Sequence, residues 1–232
     1  MNEDNIFYYS GKWTRTEELK ERLSTNENSR FQDGQLFFNN RPIVQRDSNI
    51  NGHICMGAYQ REAVIVDDDY DPILNKVGKD FIEYIFREDI LDSPFCIIRS
   101  AYFKAINIFK IHDIDAYVQQ YRQDSPLYLG SFIGYQLGNC VHKALLTAYL
   151  IELSEKVFKF GGKISVDRNS WAKWGAHAWA RYTFPKTELV YILDPSKLTE
   201  GFLLLMNQIP NCEWLYHRPE DIVQSAVENM TT

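Results

Sequence analysis

Cysteine is scarce in this chain: four residues in 232, Cys55, Cys96, Cys140 and Cys212, stand 41, 44 and 72 positions apart. That spacing excludes a disulfide-stapled scaffold, and the lack of a C-x-x-C pair argues against a structural zinc module. Basic charge is also short. The 25 Lys and Arg stand against 31 Asp and Glu, a net charge of −6. A duplex binder that neutralises phosphates is therefore excluded, and no nucleic-acid partner is expected. Long apolar runs are missing; the densest, Phe202-Leu-Leu-Leu-Met206, falls far short of the ~18 residues of a membrane span, so none is expected. The opening residues MNEDNIFYYSGKW carry neither a basic region nor an apolar one. The expectation is a cytoplasmic protein, or one exported by a route without a cleavable signal peptide. A phosphate loop is absent too, because Gly161-Gly-Lys163 lacks the upstream glycine and the following Ser or Thr. What is abundant is core-forming material: 45% hydrophobic and 14% aromatic residues, which excludes general disorder.

The N-terminal part reads as mainly helical. Thr14 or Thr16 can cap a short helix through Leu23. Asn39-Asn40 between Gln35–Phe38 and Arg41–Gln45 predicts a tight hairpin. Asp67-Asp-Asp-Tyr-Asp71 has the look of a cation site, but Asp71 directly before Pro72 is better read as a helix start. Leu74, Val77, Phe81 and Ile85 then predict a helix over 72–88. Ser93-Pro94 starts another, with Ile97, Ala101, Ala105 and Ile108 as its buried stripe. The glycine- and aromatic-bearing stretch 125–136 reads as a folded loop. The N-terminal part up to about residue 125 is thus expected to be mainly helical, with a small hairpin.

Asn139 is a good N-cap for a helix from Cys140 to about Lys156 that is apolar on two sides, hence buried. Cys140 then lies in the first helical turn, where free N–H groups and the helix dipole favour a thiolate. Downstream, Lys163–Val166 reads as a short strand and 167–175 as a polar loop holding Trp171 and Trp174. Ala176–Phe184 and Leu189–Leu193 alternate as an antiparallel pair. With Phe184 facing Leu189, His177 faces Ser196 and lies diagonally from Asp194 on the same face. A thiol at a helix start, a histidine and a carboxylate one strand over form a nucleophile, its base and the base's orienting group. His142 reads as structural, Trp179 as core, and a zinc site of Cys140, His142, His177 and Cys212 lacks the usual ligand spacing. No cofactor is expected.

Gly138-x-Cys140-x-x-x-Ala144, His177-Ala178-Trp179 and Asp194-Pro195-Ser196 together resemble the motifs of the transglutaminase-like superfamily, a papain-related fold. The order Cys, His, Asp and the gaps of 37 and 17 residues match, and the likeness spans about residues 136–196. Two departures stand out. Val141 follows the cysteine where an aromatic often does, and with the strand read as 163–166 no arginine occupies the strand after the nucleophile helix. The resemblance implies an α+β fold: a nucleophile helix packed on an antiparallel sheet, with residues 126–232 as the catalytic core and the mainly helical residues 1–125 as a cap or specificity region. It implies Cys140 as nucleophile, His177 as general base and acid, and Asp194 as the orienter of His177. Gln136 is a candidate oxyanion donor beside the Cys140 backbone N–H, and Trp171 and Trp174 are candidate walls of the cleft. The implied activity is acyl transfer at an amide of a protein or peptide substrate through a thioester: protease, glutamine deamidase or transglutaminase. A small-molecule N-acyltransferase and a non-catalytic interaction module are the alternatives. Arylamine acetyltransferases share the residue order, but their Arg-Gly-Gly approach to the cysteine is missing from Tyr135–Asn139. One expectation is sharp. Alternation sets His177, Trp179 and Arg181 on one face and three alanines on the other, so a nucleophile helix on the alanine face should keep Cys140 from His177.

Overall fold

The computed structural model describes residues 23–24, 26–56, 63–90, 93–111, 113–121, 126–171, 175–184, 187, 189–195, 202–209, 216–218 and 221. The expected helix start at Thr14 or Thr16, together with Trp174, Ser196 and Cys212, lies outside them. The fold is mixed α+β. Strands β1 (Ser29–Gln32), β2 (Gln35–Phe38) and β3 (Arg41–Pro42) form one small antiparallel sheet. The β2–β3 turn is the expected Asn39-Asn40, both with positive φ (49° and 60°). A second sheet joins β4 (His53–Met56) and β5 (Ala63–Val66) to β6 (Leu127–Tyr128), the last in parallel. Strands β4 and β5 were not read from the sequence, since four-residue apolar runs carry too little periodicity to announce strands.

Helix α1 (Pro72–Arg87) begins as expected. Asp71 accepts hydrogen bonds from the N–H groups of Ile73 and Leu74 at 3.2 and 3.1 Å. Helix α2 (Pro94–Ile108) starts at its proline, although Ser93 makes no side-chain cap bond. Helix α3 (Asp115–Tyr121) follows. The stretch expected as a loop holds β6 and a one-and-a-half-turn helix, α4 (Leu129–Gly134). Its placement depends on Asp71, whose second oxygen accepts the Gly130 N–H at 2.6 Å. A Cβ on Gly130 would press into that carboxylate. Gly130→Ala should therefore cost about 2–4 kcal/mol, the loss of the α1 cap plus a stranded buried N–H. Urea unfolding checks this, and a loss below ~0.5 kcal/mol would mean the carboxylate swings aside freely.

Helix α5 (Cys140–Phe158) is the central element. The Asn139 side chain accepts the Val141 N–H at 3.0 Å, and the helix ends on Lys159 in the left-handed region (φ 52°), just before Gly161 and Gly162, the glycines expected to stop it. Residues 144–151 are buried on all sides, as a helix apolar on two faces requires. It lies against an antiparallel sheet of order β10-β9-β8-β7, formed by β7 (Lys163–Trp171), β8 (Gly175–Thr183), β9 (Val190–Asp194) and β10 (Phe202–Leu205). Strand β7 runs five residues beyond the expected Val166, through the polar stretch read as a loop. One buried cluster, from Val44 through Leu129 to Leu193, joins residues on both sides of position 125.

The two faces of this sheet differ. Ala178, Ala180, Tyr182, Ile164 and Val166 share the cluster of α5, so the helix does pack on the alanine face. Trp179 and Ile192 face away and pack with Ile209 and Tyr216. The β8–β9 register is the expected one, Ala180 facing Leu193 and Thr183 facing Val190, but the pairing stops there. In that register Pro195 would face Ala178, and a proline has no N–H to give a ladder. Residues 175–179 of β8 therefore lie beyond the last Cα pair with β9.

Candidate active site

Cys140 and His177 approach the sheet from opposite faces and meet beside residues 175–179 of β8, beyond its last Cα pair with β9. The Cys140 thiol is hydrogen-bonded to the His177 side chain and to the backbone of Ala178. The expectation that a helix on the alanine face would separate the two is thus overturned. Because β9 stops early, neither residue has to pass through the sheet to reach the other. On its other side the His177 ring is held by Asp194, Nε2 to Oδ2 at 2.6 Å, across the diagonal that the register predicted. Asp194 is almost fully buried, and its Oδ2 also accepts the Tyr216 hydroxyl at 2.6 Å.

The electrostatics follow from these contacts. Burial opposes charge on His177, but the hydrogen bonds and charges of Asp194 and Cys140 outweigh it and push the imidazole up to about 10. Burial likewise opposes a Cys140 thiolate. The hydrogen bond and charge of His177, the Ala178 N–H and the charge of Arg168 together bring the thiol below its ordinary value. Both directions favour a thiolate–imidazolium pair.

Arg168 was missed by the sequence reading. It sits on β7 opposite Ala178, in the very strand after the Cys140 helix that had seemed to lack an arginine. Its guanidinium donates to the Met56 carbonyl and lies 3.7 Å from the Cys55 sulfur. The alternation of Ile164 and Val166, continued two residues further, was the signal that would have placed it. Lys143, one turn along α5, is also buried. Burial lowers its pKa while the charges of Asp194 and Cys140 act the other way.

The remaining candidates are placed less centrally. Gln136 is exposed, in the left-handed region (φ 58°), with its carbonyl accepting the N–H groups of Lys110 and Ile111 at 3.0 Å. The structure does not bring its side chain into the hydrogen bonds around Cys140. Trp171 is described only as the last residue of β7, paired with Gly175. Trp179 is core, as expected, its ring edge-on to Tyr216 at 5.0 Å. His142 is fully buried. Its Nδ1 is 2.9 Å from Asn139 Oδ1, and burial, aided by the Arg168 charge, pushes it down to about 3, so it stays neutral and structural. Among the described residues, the group spaced to hold a cation is Asp67, Asp68 and Asp69. Asp67 is paired with Arg41, and Asp68 accepts the Tyr149 hydroxyl at 2.8 Å.

The face of the sheet opposite α5 is fastened by residues 216–218 and Asp221. Arg218 binds both oxygens of buried Asp167 at 2.8 and 2.7 Å and reaches Asp47 at 3.2 and 3.1 Å. Arg181 binds both oxygens of Asp221 at 2.8 and 2.7 Å. These pairs hold Tyr216 over Trp179 and against Asp194.

No family model matches the chain, and neither a curated protein nor a solved structure does.

Proposed function

We propose that this protein is a cysteine-nucleophile acyl-transfer enzyme of the transglutaminase-like, papain-related kind, acting on amide bonds of a protein or peptide substrate. The observation that carries the reading is the chain of contacts Cys140–His177–Asp194, with thiol and imidazole both shifted toward their charged forms. In this reading the Cys140 thiolate attacks the amide carbonyl carbon, forming the C–S bond as the carbonyl electrons move to oxygen. The backbone N–H of Cys140, at the start of α5, is the natural donor to that oxyanion. The His177 imidazolium gives its proton to the departing nitrogen, the C–N bond breaks and a thioester remains. His177, now neutral, takes a proton from an incoming water or amine, and the C–S bond breaks to restore the thiolate. Asp194 keeps one ring nitrogen occupied, so the other faces the sulfur.

Water acting on a peptide bond gives proteolysis, water acting on a glutamine side chain gives deamidation, and an amine gives crosslinking. The test is mass spectrometry of cell proteins incubated with wild type and with Cys140→Ala, since each outcome leaves its own mass signature. Products seen with wild type and absent with the variant support the reading. Identical spectra would sink it in favour of a non-catalytic interaction module.

A further inference from the structure

The carboxylate behind His177 has a second holder. Asp194 Oδ2 accepts from His177 Nε2 and from the Tyr216 hydroxyl, each at 2.6 Å, while the Asp194 carbonyl accepts the Tyr102 hydroxyl of α2 at 3.4 Å. Tyr216 is buried, with its ring edge-on to Trp179 and 6.5 Å from the His177 ring. Packing alone does not account for a tyrosine here. A phenylalanine would fill the same space beside Trp179, whereas the hydroxyl is aimed at a buried carboxylate. Such a bond to an ionised acceptor is among the stronger ones a protein makes.

We propose that Tyr216 is a positioning residue for the reaction: its hydroxyl fixes the plane of the Asp194 carboxylate and takes a share of its charge, setting how readily the His177 imidazolium releases its proton. The inference rests on the proposed acyl-transfer reading for its catalytic meaning, but not for its geometry. A carboxylate bound to His177 alone would hold the imidazolium proton too tightly to pass it to a leaving nitrogen. Dividing the charge between two donors moderates that hold. The other groups facing His177 and Asp194 are Cys140 and Lys143 from α5, Arg168 from β7 and Tyr102 from α2. Beside Tyr216 on its own segment stand His217 and Arg218, with Asp221 bound to Arg181 of β8.

The experiment is Tyr216→Phe in the full chain, which keeps the ring and deletes the hydroxyl. The His177 ring nitrogens are followed by NMR against pH, with urea unfolding alongside. The expected result is a rise of roughly one pH unit in the His177 titration, the size typical of losing one charge-assisted bond to the partner carboxylate. An unchanged or lowered titration in a variant that still folds overturns the proposal. Should Tyr216→Phe unfold, 3-fluorotyrosine at position 216 keeps the ring and makes its hydroxyl a stronger donor, so the His177 titration should fall, and a titration equal to wild type would overturn the proposal. The titration needs no substrate. A protein without amide turnover can therefore still show the shift, and an active one without it leaves the acyl-transfer reading intact while removing Tyr216 from it.

Discussion

His177→Ala should slow iodoacetamide alkylation of Cys140 at pH 6.5 by between about tenfold and a hundredfold. An ordinary thiol, with a pKa of ~8.5, is only about 1% thiolate at that pH, so a full thiolate that reverts to the ordinary value loses about a hundredfold. Part of the difference is returned, because a less acidic thiol is the better intrinsic nucleophile. The sign of the wild-type profile follows from the shifts. The Cys140 thiol lies below its usual value, so its thiolate persists as pH falls. His177 is raised to about 10, so its proton persists as pH rises. Between those limits alkylation of Cys140 should be nearly flat, whereas a cysteine-containing peptide gains about tenfold per pH unit below its pKa. A Cys140 rate that climbs with the peptide's slope, or that ignores His177→Ala, would remove His177 as the group that ionises the thiol.

Arg218→Ala should cost about 3–5 kcal/mol, the range for removing one partner of a buried ion pair. The guanidinium binds both oxygens of Asp167, whose side chain is 0% exposed. Without it, the Ser165 hydroxyl at 2.7 Å is the donor that remains to Asp167 among the described residues. Most of the loss comes from stranding a charge, so adding Asp167→Leu to Arg218→Met should recover much of it. Equal instability of single and double variants would contradict this account. Acid should act in the same place. Asp47 and Asp221 are partly buried, which favours their neutral forms. The hydrogen bonds and charges of Arg218 and Arg181 nevertheless hold both carboxyls below the ordinary range. A carboxyl depressed on folding adds stability above its unfolded pKa of ~3.9 and loses it as pH falls through the folded value. Melting temperature should therefore drop below about pH 4, and less steeply in Arg218→Ala.

The parts of this molecule legible in its sequence are those with local causes. Asp71 before Pro72, Asn139 before Cys140 and the Asn39-Asn40 turn each act within a few residues, and each appears where read. The β8–β9 register followed from a short hairpin and brought His177 to Asp194. The parts that escaped depend on distant partners. Asp167 looked like a loop residue because its arginine lies 51 positions away, and that misreading hid Arg168 next to it. Tyr216 reaches Asp194 across 22 residues with no shared motif, and Gly130 is explained by a carboxylate 59 positions upstream. The packing of α5 was read correctly from its apolar pattern. Its compatibility with the triad was not, because alternation describes the faces of a strand and says nothing of where its neighbour ends.

That ending has a cost and a use. A β-ladder gains by pairing every N–H it can, and extending β9 by two residues would complete the edge of β8. The Ala178 N–H would then be consumed by the sheet, yet it is the backbone donor that the Cys140 sulfur uses. Regularity and reactivity thus compete for one hydrogen atom, and Pro195 settles the contest by having no amide proton to offer in exchange. A substitution at Pro195 that let the ladder grow would make a better sheet and a poorer thiolate.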